Sequence, residues 1–265
     1  MSDSFRGTKS IYDARKDEPR RRSLHRWAVL LFAMTFPTAM AWLYFVALGE
    51  PMRGSSEKLS GSPIVVAVYA CAKVVQFAFP VSWVWLFARE SLRALKPSGR
   101  GLGLGVAFGI ITAAAILTVY FGLLRGSAML ARTPVLVQEN VAQFGVASPA
   151  RYVLLALFLA IAHSFLEEYY WRWFVFGELK KAVSVGAAIV LSSLAFMGHH
   201  VIVLAMYFPA HLLTAAVPFS LCVAAGGGVW AWIYHRTGSL YSPWASHVLV
   251  DAAIMAVGYD MVFTQ

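Results

Sequence analysis

Long uninterrupted apolar runs are the feature that most limits what this chain can fold into. Several of them approach the ~20 residues that a helix needs to cross the hydrocarbon core of a bilayer. Only 13% of the residues are charged, whereas soluble domains carry about 25%. Because lipid offers no water to satisfy an open sheet edge, we expect the spans to be helical. The sequence therefore predicts an all-α, polytopic transmembrane helical bundle.

The apolar runs divide the chain into a short tail and one transmembrane domain. Residues 1–26 are polar and basic, and we expect a disordered cytoplasmic tail there; residues 27–265 form the transmembrane domain. The segment 201–216 is short and contains Pro209 and His211, so a re-entrant segment is the alternative there. The expected spans are eight: 27–48, 64–87, 102–124, 152–176, 183–199, 201–216, 218–234 and 240–258.

Basic residues set the expected orientation and exclude one class of partner. They crowd the N-terminus and recur in two loops, at Arg89–Arg100 and at Lys180–Lys181. Ahead of an apolar span, such a cluster indicates a cytoplasmic N-terminus, and eight spans would return the C-terminus to the same side. No aromatic-interleaved basic patch occurs elsewhere, so we expect the lipid bilayer as a partner and no nucleic acid.

Ionisable side chains within the predicted spans point to function, because they are costly in a membrane. The first three spans have almost none in their interiors. The C-terminal half concentrates them, and a multi-pass transporter with a proton relay would also need such groups. They are His163, Glu167, Glu168, Arg172, His199, His200, His211, His247 and Asp251.

The run Glu-Glu-Tyr-Tyr-Trp-Arg holds two carboxylates with different surroundings. Glu168 and Arg172 are four residues apart, so they share one helix face and can pair. Glu167 points about 100° away and stays available, with His163 one turn before it on its own face. A Glu168–Arg172 pair that only ties helices together is the structural alternative.

Two further groups of residues lie in later spans. His199 and His200 follow Phe196 at the predicted end of a span. His247 and Asp251 are four residues apart on another helix, so Asp251 can orient His247 by a hydrogen bond. Partnerships of a carboxylate with a histidine occur both in metal sites and in acid–base sites. A buried pair that satisfies only itself is the alternative for His247 and Asp251.

The order of these three groups resembles the signature of the CAAX protease and bacteriocin-processing family. That signature is Glu-Glu-x-x-x-Arg, then Phe-x-x-x-His, then His-x-x-x-Asn/Asp, on successive membrane helices. The resemblance covers residues 152–258. It implies eight helices around a polar cavity, and an intramembrane endopeptidase that acts on a membrane-associated protein or peptide in a prokaryotic cell membrane.

The resemblance also implies roles for individual residues. Glu167 and His200 would activate water, and His247 and Asp251 would stabilise the oxyanion. Three features depart from the common pattern. Trp173 follows Arg172, where many family members carry Gly. Asp251 stands where prenyl-protein proteases carry Asn, so it must be protonated to donate, or else it orients His247. His199 lies beside His200, and the spacing from Phe196 selects His200.

No cofactor is favoured, and two other functions are open at this point. Two histidines and one carboxylate are ordinary zinc ligands, so a zinc-dependent protease could use the same residues. A conventional zinc protease is disfavoured because the chain has no His-Glu-x-x-His motif. A non-enzymatic transporter or binding protein would also bury carboxylates and histidines, but the order of the three motifs favours the endopeptidase.

Overall fold

A computed structural model describes residues 11–48, 63–88 and 98–265, with side chains from 24–48, 67–86 and 98–265. The described ranges contain helices and no strand. The first three helices continue as π-helical turns at Leu43–Ala47, Val84–Ala88 and Tyr120–Leu124. The helices are α1 (Ile11–Trp42), α2 (Pro63–Trp83), α3 (Leu102–Val119), α4 (Thr133–Gln143), α5 (Pro149–Leu179), α6 (Val185–Tyr207), α7 (Leu212–Thr237) and α8 (Tyr241–Phe263).

The all-α transmembrane bundle is confirmed. Seven helices within the described ranges are long and apolar enough to cross a membrane, and the chain is an integral, multi-pass membrane protein. Helix α1 begins at Ile11, inside the segment that the sequence predicts as a disordered tail. Residues 1–10 and most of the first basic loop, with Arg89, Arg93 and Lys96, lie outside the described residues.

The structure differs from the predicted spans at residues 183–216. Helix α6 runs without a break through His199 and His200, and the segment 201–216 is not a separate span. Its first part ends α6, and its last part begins α7 after a short turn that contains Pro209. The two histidines are therefore inside a span. The described ranges thus contain seven candidate crossings, whereas the sequence predicts eight spans.

Helix ends with basic residues gather on one face of the bundle. Glu178 at the end of α5 contacts Lys181 at 2.7 Å and Arg26 of α1 at 3.7 Å. The turn between α7 and α8 reaches the same face, because Ser239 Oγ donates to the Ser98 carbonyl at 2.6 Å. Arg100 and Arg236 adjoin these segments, so we refer to this side as the basic face.

Small residues let α3 and α8 approach each other closely. Gly105 and Gly109 lie four residues apart on α3, opposite Ser242 and Ser246 on α8. A Cβ added at Gly105 would overlap the Ser242 carbonyl, and one added at Gly109 would lie 2.9 Å from the Ser246 Cα. Pairs of small residues at this spacing are the usual way in which membrane helices bring their backbones together. The contact fixes α8, which carries His247.

We expect Gly105→Ala to destabilise the protein by about 1–3 kcal/mol, the usual cost of overpacking a tight contact. Thermal unfolding of the detergent-purified protein measures this. Gly103→Ala on the same helix is the matched control, because a Cβ there meets nothing within 4 Å. Equal melting temperatures for the two variants would contradict the close α3–α8 contact.

Candidate active site

Helix α5 presents the two neighbouring glutamates from an irregular stretch of helix. Both lie in a short α-helical segment, Ser164–Glu168, between the π-helical segments Phe158–His163 and Tyr169–Phe176. Wide π turns inside α-helices are frequent at functional sites. Glu167 is 5% exposed and Glu168 is fully buried, so neither carboxylate is a surface group. Each must therefore find partners within the bundle.

Glu168 forms the centre of a buried chain of charged groups. Its Oε1 lies 3.1 Å from Arg172 Nη1, which confirms the predicted pairing. The same oxygen lies 2.8 Å from His247 Nδ1 on α8. Since a carboxylate oxygen can only accept, Nδ1 carries the proton and donates it. Glu168 therefore connects α5 to α8 as well as pairing within α5.

Aromatic rings enclose the Arg172 guanidinium. Its Cζ lies 4.6 Å from the centre of the Phe196 ring and 5.0 Å from that of Trp230. Nη2 donates to the Gly227 carbonyl at 3.4 Å. A Cβ on Gly227 would lie 3.2 Å from both Nη2 and the Phe196 ring, so glycine leaves the room that this contact needs. The planar guanidinium suits a position between rings better than an ammonium would.

Three histidines from three helices surround the Glu167 carboxylate. His163 Nε2 and His199 Nε2 approach Oε1, at 3.5 and 3.6 Å. His247 Nε2 approaches Oε2 at 3.7 Å. These nitrogens lie beyond ordinary hydrogen-bond distance, so the carboxylate is surrounded without being tightly bound. The sequence predicts the neighbour His163 from its spacing, but places His199 only beside the selected His200.

His247 has a carboxylate near each ring nitrogen. Nδ1 is held by Glu168, whereas Nε2 faces Asp251 Oδ1 at 3.5 Å and the Glu167 carboxylate. Asp251 is predicted as a residue that can orient His247, but the short hydrogen bond to the ring is the one with Glu168. Trp230 stacks on the imidazole with ring centres 4.2 Å apart, and its indole N–H donates to Ser246 Oγ at 2.9 Å.

His200 lies next to these groups but makes a different contact. Its Nδ1 lies 3.0 Å from the Phe196 carbonyl, one turn earlier on α6. A carbonyl can only accept, so Nδ1 carries the proton and Nε2 is the unprotonated nitrogen of the neutral ring. The centres of the His199 and His200 rings are 4.1 Å apart. His211 lies apart from this cluster, in the turn before α7, where it contacts Thr214.

The histidine nitrogens are spread around Glu167 and do not converge on one point. His163 and His199 approach one carboxylate oxygen, and His247 approaches the other. Among the residues that the structure describes, no three His, Cys, Asp or Glu side chains are placed to hold a metal ion together. The donor set in this arrangement therefore does not fit a zinc ion.

Sequence reasoning missed the aromatic and glycine support of the site. Trp230 contacts both Arg172 and His247, and Gly227 accepts from Arg172. The run Gly226-Gly227-Gly228 was a usable signal, because three glycines inside an apolar span indicate that a neighbouring group approaches α7 closely. Nothing in the spacing indicates which group that is.

One comparison shows that these residues lie in a segment similar to a known family. Residues 149–253 match the family described as "Rce1-like: Type II CAAX prenyl endopeptidase Rce1-like". The matched segment includes all the residues around Glu167 described above, from His163 to Asp251. Comparison with curated proteins and with solved structures gave no significant match. Over residues 149–253, the chain is thus similar to the CAAX-protease family of membrane endopeptidases.

Proposed function

We propose that this protein is a glutamate-dependent intramembrane endopeptidase, with Glu167 as the general base. The observation that carries the proposal is the setting of the Glu167 carboxylate. It is buried among His163, His199 and His247 at 3.5, 3.6 and 3.7 Å, while the neighbouring Glu168 is occupied by Arg172. One carboxylate is thus committed to structure, and the other is left for chemistry.

The reaction begins with a water molecule between Glu167 and His200. Glu167 takes a proton from the water, and the oxygen attacks the carbonyl carbon of the scissile peptide bond. His200 accepts a hydrogen bond from the same water through Nε2, since its Nδ1–H is already donated to Phe196. As the C–N bond breaks, Glu167 returns the proton to the leaving amine. Glu167 is then ready for the next turnover.

His247 and Asp251 lie where the negative charge of the tetrahedral intermediate develops. Three carboxylates surround His247, so in this proposal its ring is the doubly protonated cation: Nδ1–H is donated to Glu168 and Nε2–H faces the space beside Glu167. Glu168 and Trp230 hold the ring in that orientation. Donors fixed in advance at the oxyanion lower the barrier, because they need not reorganise during the reaction. Asp251 stays 3.5 Å from Nε2 and assists either as a protonated donor or by holding His247.

The substrate class that we propose is a membrane-associated protein with a prenylated C-terminal Cys-aliphatic-aliphatic-x sequence. The description of the matched family carries this proposal, and such a sequence is the usual prenylation signal. The family match also favours hydrolysis over the transporter interpretation. Under the positive-inside rule, we place the basic face, and with it the N-terminus, in the cytoplasm.

Quantitative mass spectrometry of protein termini in cells tests the proposed function. Cells that contain the wild-type protein should lose a set of C-terminal peptides and gain new C-termini upstream of them. Cells with Glu167→Gln at the same abundance should retain the original C-terminal peptides. Identical terminal peptides in the two cell lines would reject the endopeptidase.

Substitutions of the two neighbouring histidines of α6 are expected to lower kcat to different extents. His200→Asn should lower kcat by about 10²-fold or more, because it removes the nitrogen that holds the water. His199→Asn should lower kcat by about tenfold or less, because His199 only adjoins Glu167 at 3.6 Å and a typical hydrogen bond contributes about 0.5–1.5 kcal/mol net. Steady-state kinetics on purified protein measures both. The reverse order would transfer the water-binding role to His199.

A further inference from the structure

Helix α2 lies outside the matched family segment, yet it turns polar side chains toward the candidate active site. Tyr69, Lys73 and Gln76 are spaced four and three residues apart, so they share one helix face. Gln76 is 3% exposed, which identifies this as the face that packs into the bundle. Val74 and Val75, on the other side of α2, are 68% and 48% exposed and face lipid.

Helix α2 is attached to α5 beside the glutamates. The Phe77 ring packs edge-on against His163 and Tyr170, each with ring centres 6.2 Å apart. The Tyr169 hydroxyl donates to the Phe77 carbonyl at 3.2 Å. Lys73 is one turn from Phe77, or about 6 Å along the axis, and its Nζ lies 5.7 Å from the centre of the Phe77 ring, which itself packs against His163. The ammonium therefore borders the site.

Within the described residues, the Lys73 ammonium has no carboxylate at ion-pair distance. Its Nζ donates to Gln76 Oε1 at 3.2 Å and lies 5.6 and 5.7 Å from the centres of the Tyr69 and Phe77 rings. An ammonium has three protons to donate, so one amide oxygen leaves capacity for a further acceptor. A cation inside a membrane span is costly and is retained where it serves a ligand or a pathway.

The depth of Lys73 in the membrane decides what kind of anion can reach it. Ten residues separate it from the start of α2 at Pro63 and fifteen from Ala88, or about 15 and 22 Å along the helix. A lipid phosphate stays near the ends of a span, so it lies too far from Lys73 to bind it. An anion at this depth must instead arrive on a chain that enters the site.

We propose that Lys73, with Gln76 and Tyr69, binds the free C-terminal carboxylate of the substrate peptide. This subsite rests on the proposed endopeptidase function and deepens it. An extended peptide advances about 3.3 Å per residue. Lys73 lies about 6 Å along α2 from Phe77, and Phe77 packs against His163 beside Glu167, so a carboxylate held by Lys73 lies a few residues after the scissile bond. The enzyme thereby selects peptide bonds close to a free C-terminus.

Two forms of one peptide test the subsite. The probe is a fluorescence-quenched peptide that ends in a farnesylated Cys-aliphatic-aliphatic-x sequence, made once as the free acid and once as the C-terminal amide. The full-length protein is reconstituted in phosphatidylcholine liposomes. The wild type should cleave the acid with about 10- to 100-fold higher kcat/KM, mainly through KM, as expected for one charged hydrogen bond.

Lys73→Met should reduce this preference to about threefold or less, because the acid loses the ammonium that binds it, whereas the amide never uses that contact. Lys73→Arg should retain most of the preference, because the cation is kept. Val74→Met, on the lipid side of the same helix, is the matched control and should behave as wild type.

The possible failures are distinguishable. If the wild type cleaves acid and amide equally, the carboxylate subsite is rejected and the endopeptidase stands. If Lys73→Met slows both peptides by the same factor, Lys73 is only a counter-charge to Glu167, and the subsite is again rejected. If the wild type cleaves neither peptide, the proposed function toward prenylated C-termini is itself overturned.

Discussion

Glu167→Gln is expected to lower kcat by about 10²–10⁴-fold, the range that a positioned general base contributes. The amide has the shape of the carboxylate but cannot take the proton from water. Its oxygen can still accept from the surrounding histidines, which stand at 3.5, 3.6 and 3.7 Å, so the protein should stay folded. Steady-state cleavage of the farnesylated peptide and thermal unfolding, measured on the same preparation, separate the two effects.

Glu139→Gln is the matched control for this substitution. Glu139 is exposed on α4, outside the cluster around Glu167, so the same chemical change should leave kcat within about twofold of wild type. Wild-type activity of Glu167→Gln would remove Glu167 from the mechanism. A melting temperature much below wild type would instead assign it a structural role.

The same preparation distinguishes the glutamate mechanism from zinc chemistry. A zinc enzyme would use the metal to activate water, and its ligands would have to converge on the ion. We expect the detergent-purified protein to keep its activity after chelator treatment, with metal content below stoichiometry by elemental analysis. The opposite result is stoichiometric zinc, with activity that is lost when the metal is removed and regained when zinc is added. That result would show that zinc, and not Glu167, activates the water.

Local spacing predicts contacts within one helix and fails for contacts between helices. Glu168 and Arg172, or His163 and Glu167, are four residues apart, so helix geometry alone brings them together. The Glu168–His247 hydrogen bond joins residues 79 positions apart, and it depends on how α5 packs against α8. No spacing rule contains that information, so Asp251 was the only orienting partner that the sequence predicts for His247.

Polar residues do not mark the end of a membrane span where that span lines a site. The sequence predicts the end of a span at His199 and His200, because polar residues ordinarily mark the interface between membrane and water. In the structure both histidines lie inside α6, and His199 faces Glu167 on α5. Lys73 is not predicted as a site residue for the opposite reason: a single cation changes the average hydropathy of an apolar run only a little. Each polar group is tolerated by its contacts inside the bundle.

The second large effect is expected from Arg172→Met, which should destabilise the protein by about 3–5 kcal/mol. The substitution leaves Glu168 fully buried without its cation, which lies 3.1 Å away between the Phe196 and Trp230 rings. Chemical or thermal unfolding in detergent measures the loss. Arg125→Met is the matched control: Arg125 pairs with Asp260 at 2.8 Å but is 42% exposed, so its loss should destabilise the protein far less.

The double variant Glu168→Gln/Arg172→Met distinguishes two contributions to stability. One is the cost of burying Glu168 without its cation, and the other is the net stabilisation by the ion pair. Removing both charges should recover much of the stability, because no uncompensated ion remains in the bundle. Activity should stay low, since His247 Nδ1 then donates to a neutral amide in place of a carboxylate. A double variant no more stable than Arg172→Met would show that the guanidinium stabilises the bundle through Phe196, Trp230 and Gly227, independently of Glu168.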